Sequence, residues 1–270
     1  MNADESIKLN LGHIDVLDHG YVKCIETWGS DERIIEAARM STNKSFRGWG
    51  DLCSFCDGKG TYVLDGISAI QTCEECGGKR SKDPGDERLL RRLWEHKHAT
   101  PFEMGGLILE IQAPIFVFRE WHRHRTQSYN EMSARYTPLP DVNYIPSVAR
   151  LLINSKTNKQ AAMAAGAEEL AEEGAEWFRS SLEAEYRNQE ALYQSALKSG
   201  VPKELARCVL PVGRYSRMRA SANLRNWLSF LTLRLSNDAQ WEIRQYAEAT
   251  GLFVEKAFPR TWELFKEGLS

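Results

Sequence analysis

The sequence predicts an α+β fold, in which a central and mainly antiparallel sheet is flanked by long helices and carries one small insertion. Strand patterns are few and lie in the first half of the 270 residues, whereas segments with helical periodicity dominate the chain. Over residues 47–86 this periodicity disappears, and glycine, cysteine, serine and lysine become frequent. We therefore expect one domain over residues 1–270, with an inserted module at residues 47–86.

Hydrophobic periodicity, turn residues and capping residues set the expected elements. The expected strands are a pair within residues 11–27, which turns at Asp18–Gly20, and a strand at Leu107–Ile111. Asp31 is expected to cap the first helix, and Pro114 to open the third, where its missing N–H costs nothing. The expected helices are Asp31–Met40, Asp86–Glu95, Pro114–Arg125, one or two within residues 155–198, Lys203–Leu210, Ser221–Leu235 and Asp238–Ala257.

The charge and the hydropathy of the chain exclude some classes of function. A formal net charge of −2 gives no overall attraction to nucleic acid or to an anionic membrane, so an anionic ligand needs a local cationic cluster. The acidic residues of Met1–Asp18 and the lack of a long apolar run there argue against a signal peptide. No stretch approaches the ~18 apolar residues of a membrane helix, so a cytoplasmic location is expected.

Residues 119–136 combine cations with hydroxyl, amide and carboxylate groups. The arginines of this segment are Arg119, Arg123, Arg125 and Arg135. Between them lie His122, His124, Ser128, Asn130, Glu131 and Ser133. Arginine forks bind phosphates with two N–H groups, and short polar side chains satisfy the remaining acceptors. The pattern favours a phosphate site; the alternative is a surface loop whose ion pairs contribute roughly 0–1 kcal/mol each.

The string RHRTQSYNEMSARY in this segment resembles the signature of flavin-dependent thymidylate synthases, in which RHR is followed at fixed spacing by S, NE, S and RY. All of these positions are kept here, as Arg123, His124, Arg125, Ser128, Asn130, Glu131, Ser133, Arg135 and Tyr136. The flanking strings APIFVFREW and YIPS match as well. The resemblance covers roughly residues 14–46 and 87–265, and it implies methylation of dUMP to dTMP.

Further segments resemble the same family and imply contacts with its ligands. These segments are Ala37–Ser41, His96–Glu103, Val201–Pro211 and Asp238–Ala247. The resemblance implies that Ser41, His98 and Thr100 lie against the flavin, and it leaves the role of His96 open. It also implies that Arg207 binds the phosphate of the nucleotide.

The expected helix at residues 221–235 has a polar residue at each end of one face. The residues of this face, spaced 4, 3 and 4 apart, are Asn223, Trp227, Phe230 and Arg234. The face is either an amphipathic core surface with polar ends or a surface that touches two parts of an extended site. The resemblance favours the second alternative, with Asn223 and Arg225 at the flavin and Arg234 at the uracil ring, where it favours the ionised form of the ring.

The resemblance thus implies one catalytic residue, Arg234, and two binding sets. The flavin set is Ser41, His98, Thr100, Arg123, His124, Arg125, Glu131, Asn223, Arg225 and Ser229. The nucleotide set is Glu120, Arg123, Glu131, Ser133, Arg135, Arg207 and Arg234. Glu120 stands where some members have glutamine, and Ser229 where some have asparagine. Ser133 is expected to be a ligand-binding residue and not a nucleophile, because no base is placed to activate it.

The resemblance also implies the cofactor, the co-substrates and the assembly. It implies FAD as the redox carrier, methylenetetrahydrofolate as the carbon donor, NADPH as the reductant and a homotetramer whose sites combine several subunits. Within such a site the protein supplies position and charge: arginines stabilise an anionic reduced flavin and the negative charge that develops on the pyrimidine.

Four of the six cysteines form two CxxC pairs, Cys53 with Cys56 and Cys73 with Cys76, separated by sixteen residues. This spacing suits a tetrahedral Zn²⁺, and the strings CSFCDGKG and CEECGGK resemble the zinc knuckles of DnaJ-type chaperones. An iron–sulfur cluster and four free cysteines are the alternatives. The metal either lets a small module fold without a core, or it holds a lid or contact surface near the flavin.

Two rival functions stay open at this point. One is a nucleic-acid-binding module made of a zinc knuckle and an arginine-rich segment, which predicts a basic chain, whereas the net charge is −2. The other is a flavoprotein that has lost synthase activity, and the retained Arg207 and Arg234 argue against it. We therefore expect dUMP and a folate as partners, and neither a membrane nor nucleic acid.

Overall fold

The computed structural model describes residues 12–50, 53–56, 59–63, 70–78, 85–153 and 169–269. The described chain falls into two compact units. The first unit lies within Met1–Thr27, Leu107–Ala222 and Asn226–Phe253, and the second within Trp28–Gly106, Asn223–Arg225 and Val254–Ser270. The single domain expected over residues 1–270 stays a prediction.

Strands and helices alternate irregularly along the described chain, as the predicted α+β class requires. The strands are β1 (His13–Val16), β2 (Gly20–Trp28), β3 (Thr61–Val63), β4 (Ile70–Thr72), β5 (Gly106–Pro114), β6 (Ser128–Glu131) and β7 (Tyr215–Asn223). The helices are α1 (Asp31–Met40), α2 (Asp86–Glu95), α3 (Ile115–Trp121), α4 (Val148–Leu151), α5 (Glu172–Lys198), α6 (Lys203–Ala206), α7 (Leu224–Arg234), α8 (Trp241–Ala257) and α9 (Pro259–Glu267).

The first unit contains a five-stranded sheet with the strand order β1-β2-β5-β7-β6. The pairs β1–β2 and β6–β7 are antiparallel, so the predicted mainly antiparallel sheet and its first strand pair are confirmed. At the start of β2 an added Cβ on Gly20 would lie 1.9 Å from the Tyr246 hydroxyl oxygen, so only glycine fits there.

The helix expected at residues 221–235 is wrong in its first three residues. Strand β7 continues through Asn223, and α7 begins only at Leu224. Pairing decides this boundary, because Ser221 lies opposite Ser128 in the antiparallel ladder with β6. Asn223 therefore ends a strand and does not share a helical face with Arg234.

The helix expected at Pro114–Arg125 is shorter than predicted. Pro114 is the N-cap of α3, and the helix ends at Trp121. The Tyr129 hydroxyl lies 3.2 Å from the carbonyl oxygen of Trp121 and 2.7 Å from that of His124, so it donates to backbone acceptors that a longer helix would need. Strand β6, which carries Tyr129, was not predicted.

Helices α1 and α2 are found with the expected ends, whereas the other expected helices have changed ends, and α8 begins at Trp241 instead of Asp238. The helix expected within residues 155–198 is observed as α5, and residues 154–168 lie outside the described part of the chain. The helix expected at Lys203–Leu210 is α6 followed by a 3-10 turn at Arg207–Val209. Helix α9, which was not predicted, follows α8 after Phe258. Among the described residues, no helix has the length and apolarity that a membrane crossing requires.

Helices α7 and α8 supply much of the core beside the sheet of the first unit. The indole N–H of Trp227 in α7 donates to the carbonyl of Leu107 in β5 at 3.1 Å. The Tyr246 hydroxyl in α8 donates to the carbonyl of Gln112 in the same strand at 2.8 Å. These large aromatic side chains are fully buried and find partners for their polar atoms, as buried Trp and Tyr require.

In the second unit a buried carboxylate joins α1 to α9. Ser30, and not the expected Asp31, is the N-cap of α1, because its hydroxyl accepts from the Arg33 N–H. Asp31 is buried and accepts hydrogen bonds from the Thr261 hydroxyl at 2.5 Å and from the Arg260 N–H at 2.8 Å. Burial raises the pKa of this carboxyl, and the hydrogen bonds from α9 oppose that rise.

A second buried carboxylate holds the two stems of the insertion together. Asp86 begins α2 and its side chain is fully buried. It accepts from the Arg39 Nε at the end of α1 at 2.7 Å and from the Arg47 N–H at 2.6 Å, while its own N–H donates to the Gly48 carbonyl at 2.9 Å. The stems are therefore joined by hydrogen bonds outside the cysteine module.

Replacing Asp86 by alanine should strongly destabilise the second unit. The Arg39 side chain is only 15% exposed, so its charge would lose its partner in a poorly solvated place. We expect a loss of about 3–5 kcal/mol in the free energy of unfolding, measured by urea denaturation. The matched control is Glu36→Ala, which removes the exposed pair with Arg33 and should cost less than about 1 kcal/mol. Equal losses in the two variants would contradict this account.

Candidate functional site

The site in the first unit is built on the turn between α3 and β6. Residues 122–127 form this turn, and β6 then pairs with β7, which leads directly into α7. In the turn, His124 is buried while Arg123 and Arg125 are exposed. Neither of these two arginines has an ion-pair partner among the described residues, so both guanidinium groups are available to an anionic ligand.

Arg234, at the end of α7, is held by groups from α3 and from the turn. Its Nε lies 2.8 Å from His124 Nε2, its Nη1 lies 2.8 Å from Glu120 Oε2, and its Nη2 lies 2.8 Å from the Glu120 carbonyl oxygen. The Arg234 side chain is 14% exposed, and that of Glu120 is 42% exposed. Three predicted site residues that lie up to 114 positions apart in the sequence are therefore in direct contact: His124 from the predicted flavin set, and Glu120 and Arg234 from the predicted nucleotide set.

The His124 side chain is neutral in this environment. Burial, and then the positive charge of Arg234, lower the pKa of His124 to about 4. The ring packs edge-on against Phe230, with ring centroids 4.9 Å apart, and Phe230 in turn stacks on Trp121 at 4.5 Å. Trp227 extends this aromatic cluster, with its ring centroid 5.9 Å from that of Phe230.

The other signature residues follow on β6 and beyond it. Glu131 lies opposite Met218 in the β6–β7 ladder, 3.9 Å from His122 Nε2. The Ser133 hydroxyl accepts from the Arg135 N–H at 3.3 Å, and Arg135 itself is exposed. A groove of about 420 Å³ runs along this part of the sheet and includes Glu131.

Two residues of this groove, Arg217 and Arg219, were not singled out by the sequence. Both point outward from β7 while Met218 between them is buried, and Arg219 pairs with Glu110 at 3.2 Å. The alternation of arginine with apolar residues in YSRMRASA is a strand signal that could have found them.

Arg207 is exposed and lies in the 3-10 turn that follows α6. Its Nε donates to the carbonyl of Glu204 at 3.2 Å. The two terminal nitrogens of the guanidinium have no hydrogen-bond partner among the described residues. Lys203 of the same segment donates to the Tyr136 carbonyl at 3.0 Å. The segment that carries Arg207 is thus in contact with the end of the signature.

In the second unit, five of the predicted flavin residues lie in or near the segments that include and contact one short 3-10 helix, Thr100–Glu103. Helix α1 packs against this 3-10 helix, and Ser41 is the C-cap residue of α1. Arg225 forms an ion pair with Glu103, and the N–H of Leu224 donates to the Gly105 carbonyl at 2.7 Å. Thr100 and His98, in the segment leading into this helix, are exposed. Asn223, half-buried, directly precedes Leu224.

The four cysteines of the insertion come together as predicted. The thiol sulfurs of Cys53, Cys56, Cys73 and Cys76 all lie within 4.8 Å of one another. The distances Cys53–Cys73 and Cys56–Cys76 are 3.8 Å between Sγ atoms, which is close to the edge of a tetrahedron with metal–sulfur bonds of about 2.3 Å. The N–H of Gly60 donates to the Cys56 sulfur at 3.2 Å.

The cysteine pairs flank a small hairpin made of β3 and β4, and all four are buried. Tyr62 is the hydrophobic side chain that packs against them among the described residues. A module with so small a core needs another source of stability, and a donor set of four thiols fits a structural metal.

Comparison with known proteins decides the family. Residues 23–260 match the family model described as thymidylate synthase complementing protein. The chain belongs to this family. A flavin-dependent thymidylate synthase from Thermus thermophilus is 36% identical over 256 residues, covering 95% of this chain and 79% of that protein. One from Thermosipho africanus is 36% identical over 251 residues, covering 93% of this chain and 92% of the relative.

Solved structures agree with this family assignment. A UMP/dUMP methylase from Streptomyces cacaoi, bound with 5-Br UMP, matches with a TM-score of 0.70 and 28% identity, covering 95% of this chain and 97% of that one. The same methylase bound with 5-Br dUMP matches with a TM-score of 0.70 and 27% identity. The family expected from the signature is confirmed, and the individual roles of the site residues stay predictions.

His124 should make the stability of the first unit depend on pH. Its pKa is about 4 in the folded chain and near 6.5 when unfolded, so between these values the unfolded chain binds more protons. The free energy of unfolding should therefore fall as the pH decreases from about 7 towards about 4.5. In His124→Gln this contribution disappears, and denaturant titrations at several pH values should show a shallower fall. Parallel pH profiles for the two proteins would be incompatible with a buried neutral His124.

Proposed function

We propose that this chain methylates dUMP to dTMP at carbon 5 of the uracil ring. The family assignment supports the reaction class, and the structural neighbours are named as methylases of UMP and dUMP. The observation that carries the proposal is the hydrogen bond between the Arg234 guanidinium and His124. This contact links Arg234 to the turn in which the exposed Arg123 and Arg125 flank His124. Such an arrangement can bind an anionic nucleotide and stabilise charge that develops on its ring.

In this proposal the nucleotide is bound by cations from three segments. Arg135 and Ser133 at the end of the signature, together with Arg207, bind the phosphate; Arg123, Glu120 and Glu131 complete the nucleotide contacts. The contact between Lys203 and the Tyr136 carbonyl supports this grouping, because it brings the Arg207 segment to the end of the signature. Arg234 binds the uracil ring, and its positive charge lowers the cost of negative charge on the ring.

The proposed cofactor is FAD, which supplies the redox chemistry when it is bound. The flavin-dependent naming of the relatives supports this part of the proposal. Each unit carries groups that can contact a flavin and its diphosphate: Arg123 and Arg125 are exposed cations of the first unit, and the second unit offers the exposed cation Arg225 with polar groups on His98, Thr100 and Ser41. Glu131, Asn223 and Ser229 complete the proposed flavin set. Methylenetetrahydrofolate as carbon donor and NADPH as reductant complete the reaction.

We also propose a homotetramer in the cytoplasm. Exposed apolar side chains on α5 support an assembly, since Trp177 is 69%, Phe178 42% and Leu192 56% exposed in the single chain. Four reduced cysteines that share a metal require a compartment that keeps thiols reduced, which supports the cytoplasmic location.

The reaction and the role of Arg234 can be tested on the purified protein. We expect a yellow protein that forms dTMP and oxidises NADPH only when dUMP is present. Arg234→Ala should keep its flavin spectrum and lose dTMP formation by about 10²–10³-fold, the effect of removing one group that stabilises developing charge. The control is Arg33→Ala, an exposed arginine on α1, which should stay active.

Two outcomes of this experiment would count against the proposal. A wild-type protein that binds flavin but forms no dTMP would contradict the reaction. A fully active Arg234→Ala would remove this arginine from the chemistry.

We propose a structural Zn²⁺ at the four cysteines of the insertion, where Cys53, Cys56, Cys73 and Cys76 would each supply a thiolate. The protein purified without added metal should contain about one zinc per chain, as measured by inductively coupled plasma mass spectrometry. Cys73→Ser should lose most of this zinc, whereas Cys24→Ser, which changes a cysteine of β2, should keep it. Stoichiometric iron with sulfide would instead identify an iron–sulfur cluster, and a metal-free wild-type protein would refute the site.

A further inference from the structure

The His124 ring contacts Nε, the one nitrogen of the Arg234 guanidinium that Glu120 does not contact. Glu120 receives the two terminal nitrogens of the guanidinium, one at its carboxylate and one at its backbone carbonyl. His124 receives the remaining nitrogen, Nε. We propose that His124 is a positioning residue, which fixes the Arg234 guanidinium in the orientation needed at the uracil ring, and that it does not act as a flavin ligand. This inference rests on the proposed methylation of dUMP.

The chemistry of the hydrogen bond determines which form of His124 can do this. A guanidinium has five N–H donors and no acceptor, so the ring nitrogen that it contacts must offer a lone pair. His124 Nε2 is that nitrogen, and the proton of the neutral ring therefore lies on Nδ1. A protonated ring would present N–H to N–H, and it would bring a second positive charge next to Arg234.

Hydrogen bonds hold the backbone of His124 and aromatic packing holds its ring, which is what a positioning role requires. The backbone N–H of His124 donates to the Trp121 carbonyl at 3.0 Å, and its own carbonyl accepts from the Tyr129 hydroxyl at 2.7 Å. Phe230, one helical turn before Arg234, packs against the ring. The same helix therefore supplies both the arginine and part of the aromatic cluster that orients the histidine.

The partners of Arg234 leave part of its hydrogen-bonding capacity for a ligand. Three of the five N–H groups are used by His124 and Glu120, and the two others have no partner among the described residues. These two belong to the terminal nitrogens, and the plane of the guanidinium sets their direction. Removing the Nε contact would let the plane rotate and would misdirect them, with little change in charge.

The resemblance implies that His124 contacts the flavin, whereas in the structure its ring contacts Arg234. His124 is only 9% exposed, and Nε2, the acceptor nitrogen of its ring, is already bound to Arg234. Its neighbours Arg123 and Arg125 are both exposed. The alternation in the turn therefore directs the two arginines outward to ligands and the histidine inward to Arg234.

Two substitutions of His124 separate positioning from direct binding. Glutamine can place its amide oxygen near the position of Nε2, whereas leucine removes the acceptor and keeps an apolar side chain. We expect His124→Leu to lower kcat about 100-fold, with a change of less than about tenfold in the dUMP concentration for half saturation, and with an unchanged flavin spectrum. His124→Gln should recover at least about tenfold of kcat.

The role of Arg234 in this effect is tested by combining the changes. In an Arg234→Ala background, His124→Leu should cause little further loss of kcat, because the arginine that it positions is already absent. The controls are His13→Gln and His13→Leu on the exposed strand β1, which should leave kcat unchanged. Crystal structures of the His124 variants should show the Arg234 plane rotated in the leucine variant and retained in the glutamine variant.

The possible failures can be told apart. Loss of FAD or a shifted flavin spectrum in His124→Leu would identify a direct flavin contact and overturn the positioning role. Additive losses in the double variant, or an unmoved Arg234 plane in the leucine variant, would overturn it as well. If the wild-type protein forms no dTMP, the proposed function fails, while the variant structures still decide whether His124 orients Arg234.

Discussion

Antiparallel pairing of β6 with β7 is the constraint on which the site of the first unit depends. The ladder joins Ser128 to Ser221 and so brings together two segments that are more than ninety positions apart in the chain. The turn that carries His124 precedes β6, and the helix that ends in Arg234 follows β7. Because a one-residue shift of either strand would turn its side chains to the opposite face of the sheet, the register also determines which side chains of β6 and β7 line the groove.

The electrostatics of the site depend on the Arg234 guanidinium, whose three hydrogen-bond acceptors differ in charge. Arg234 contacts a carboxylate, a carbonyl and a neutral imidazole, so a single formal negative charge faces it. The carboxylate of Glu120 is partly solvated, whereas Arg234 is mostly buried. The guanidinium is therefore fixed in place, and no second carboxylate offsets its positive charge. A group that stabilises developing negative charge needs both properties.

The second unit uses buried carboxylates for a different purpose. Asp31 joins α1 to α9 and Asp86 joins the two stems of the insertion, so both ends of α1 are fixed by groups from elsewhere in the unit. The cysteine cluster lies beyond this junction, and its hairpin has little apolar surface of its own. A metal-bound module can thus be accommodated between α1 and α2 while the segment around Ser41 and the 3-10 helix at Thr100–Glu103 keeps its contacts.

Much of the helical content and the family could be predicted from the sequence, because both are encoded locally. The periodicity of α1, α2, α5 and α8 is strong, the signature is contiguous, and the spacing of the cysteines is itself the pattern of a metal site. The strands β6 and β7 were missed, because the four polar residues of β6 carry a weak local signal and the end of β7 overlaps the helix predicted at Ser221–Leu235. Their strand conformation depends on hydrogen bonds between distant segments.

The sequence by itself determined the identity of the chemical groups: the arginines, the histidine of the signature, and the four thiols. Only the tertiary structure decided which of these groups are exposed and which are buried against other side chains. It directed Arg123 and Arg125 outward, turned His124 inward to Arg234, and placed Asn223 at the end of a strand instead of on the helix. The physical reason is that a side chain's residue type is local, whereas its burial and its hydrogen-bond partners are set by segments that meet only when the chain has folded.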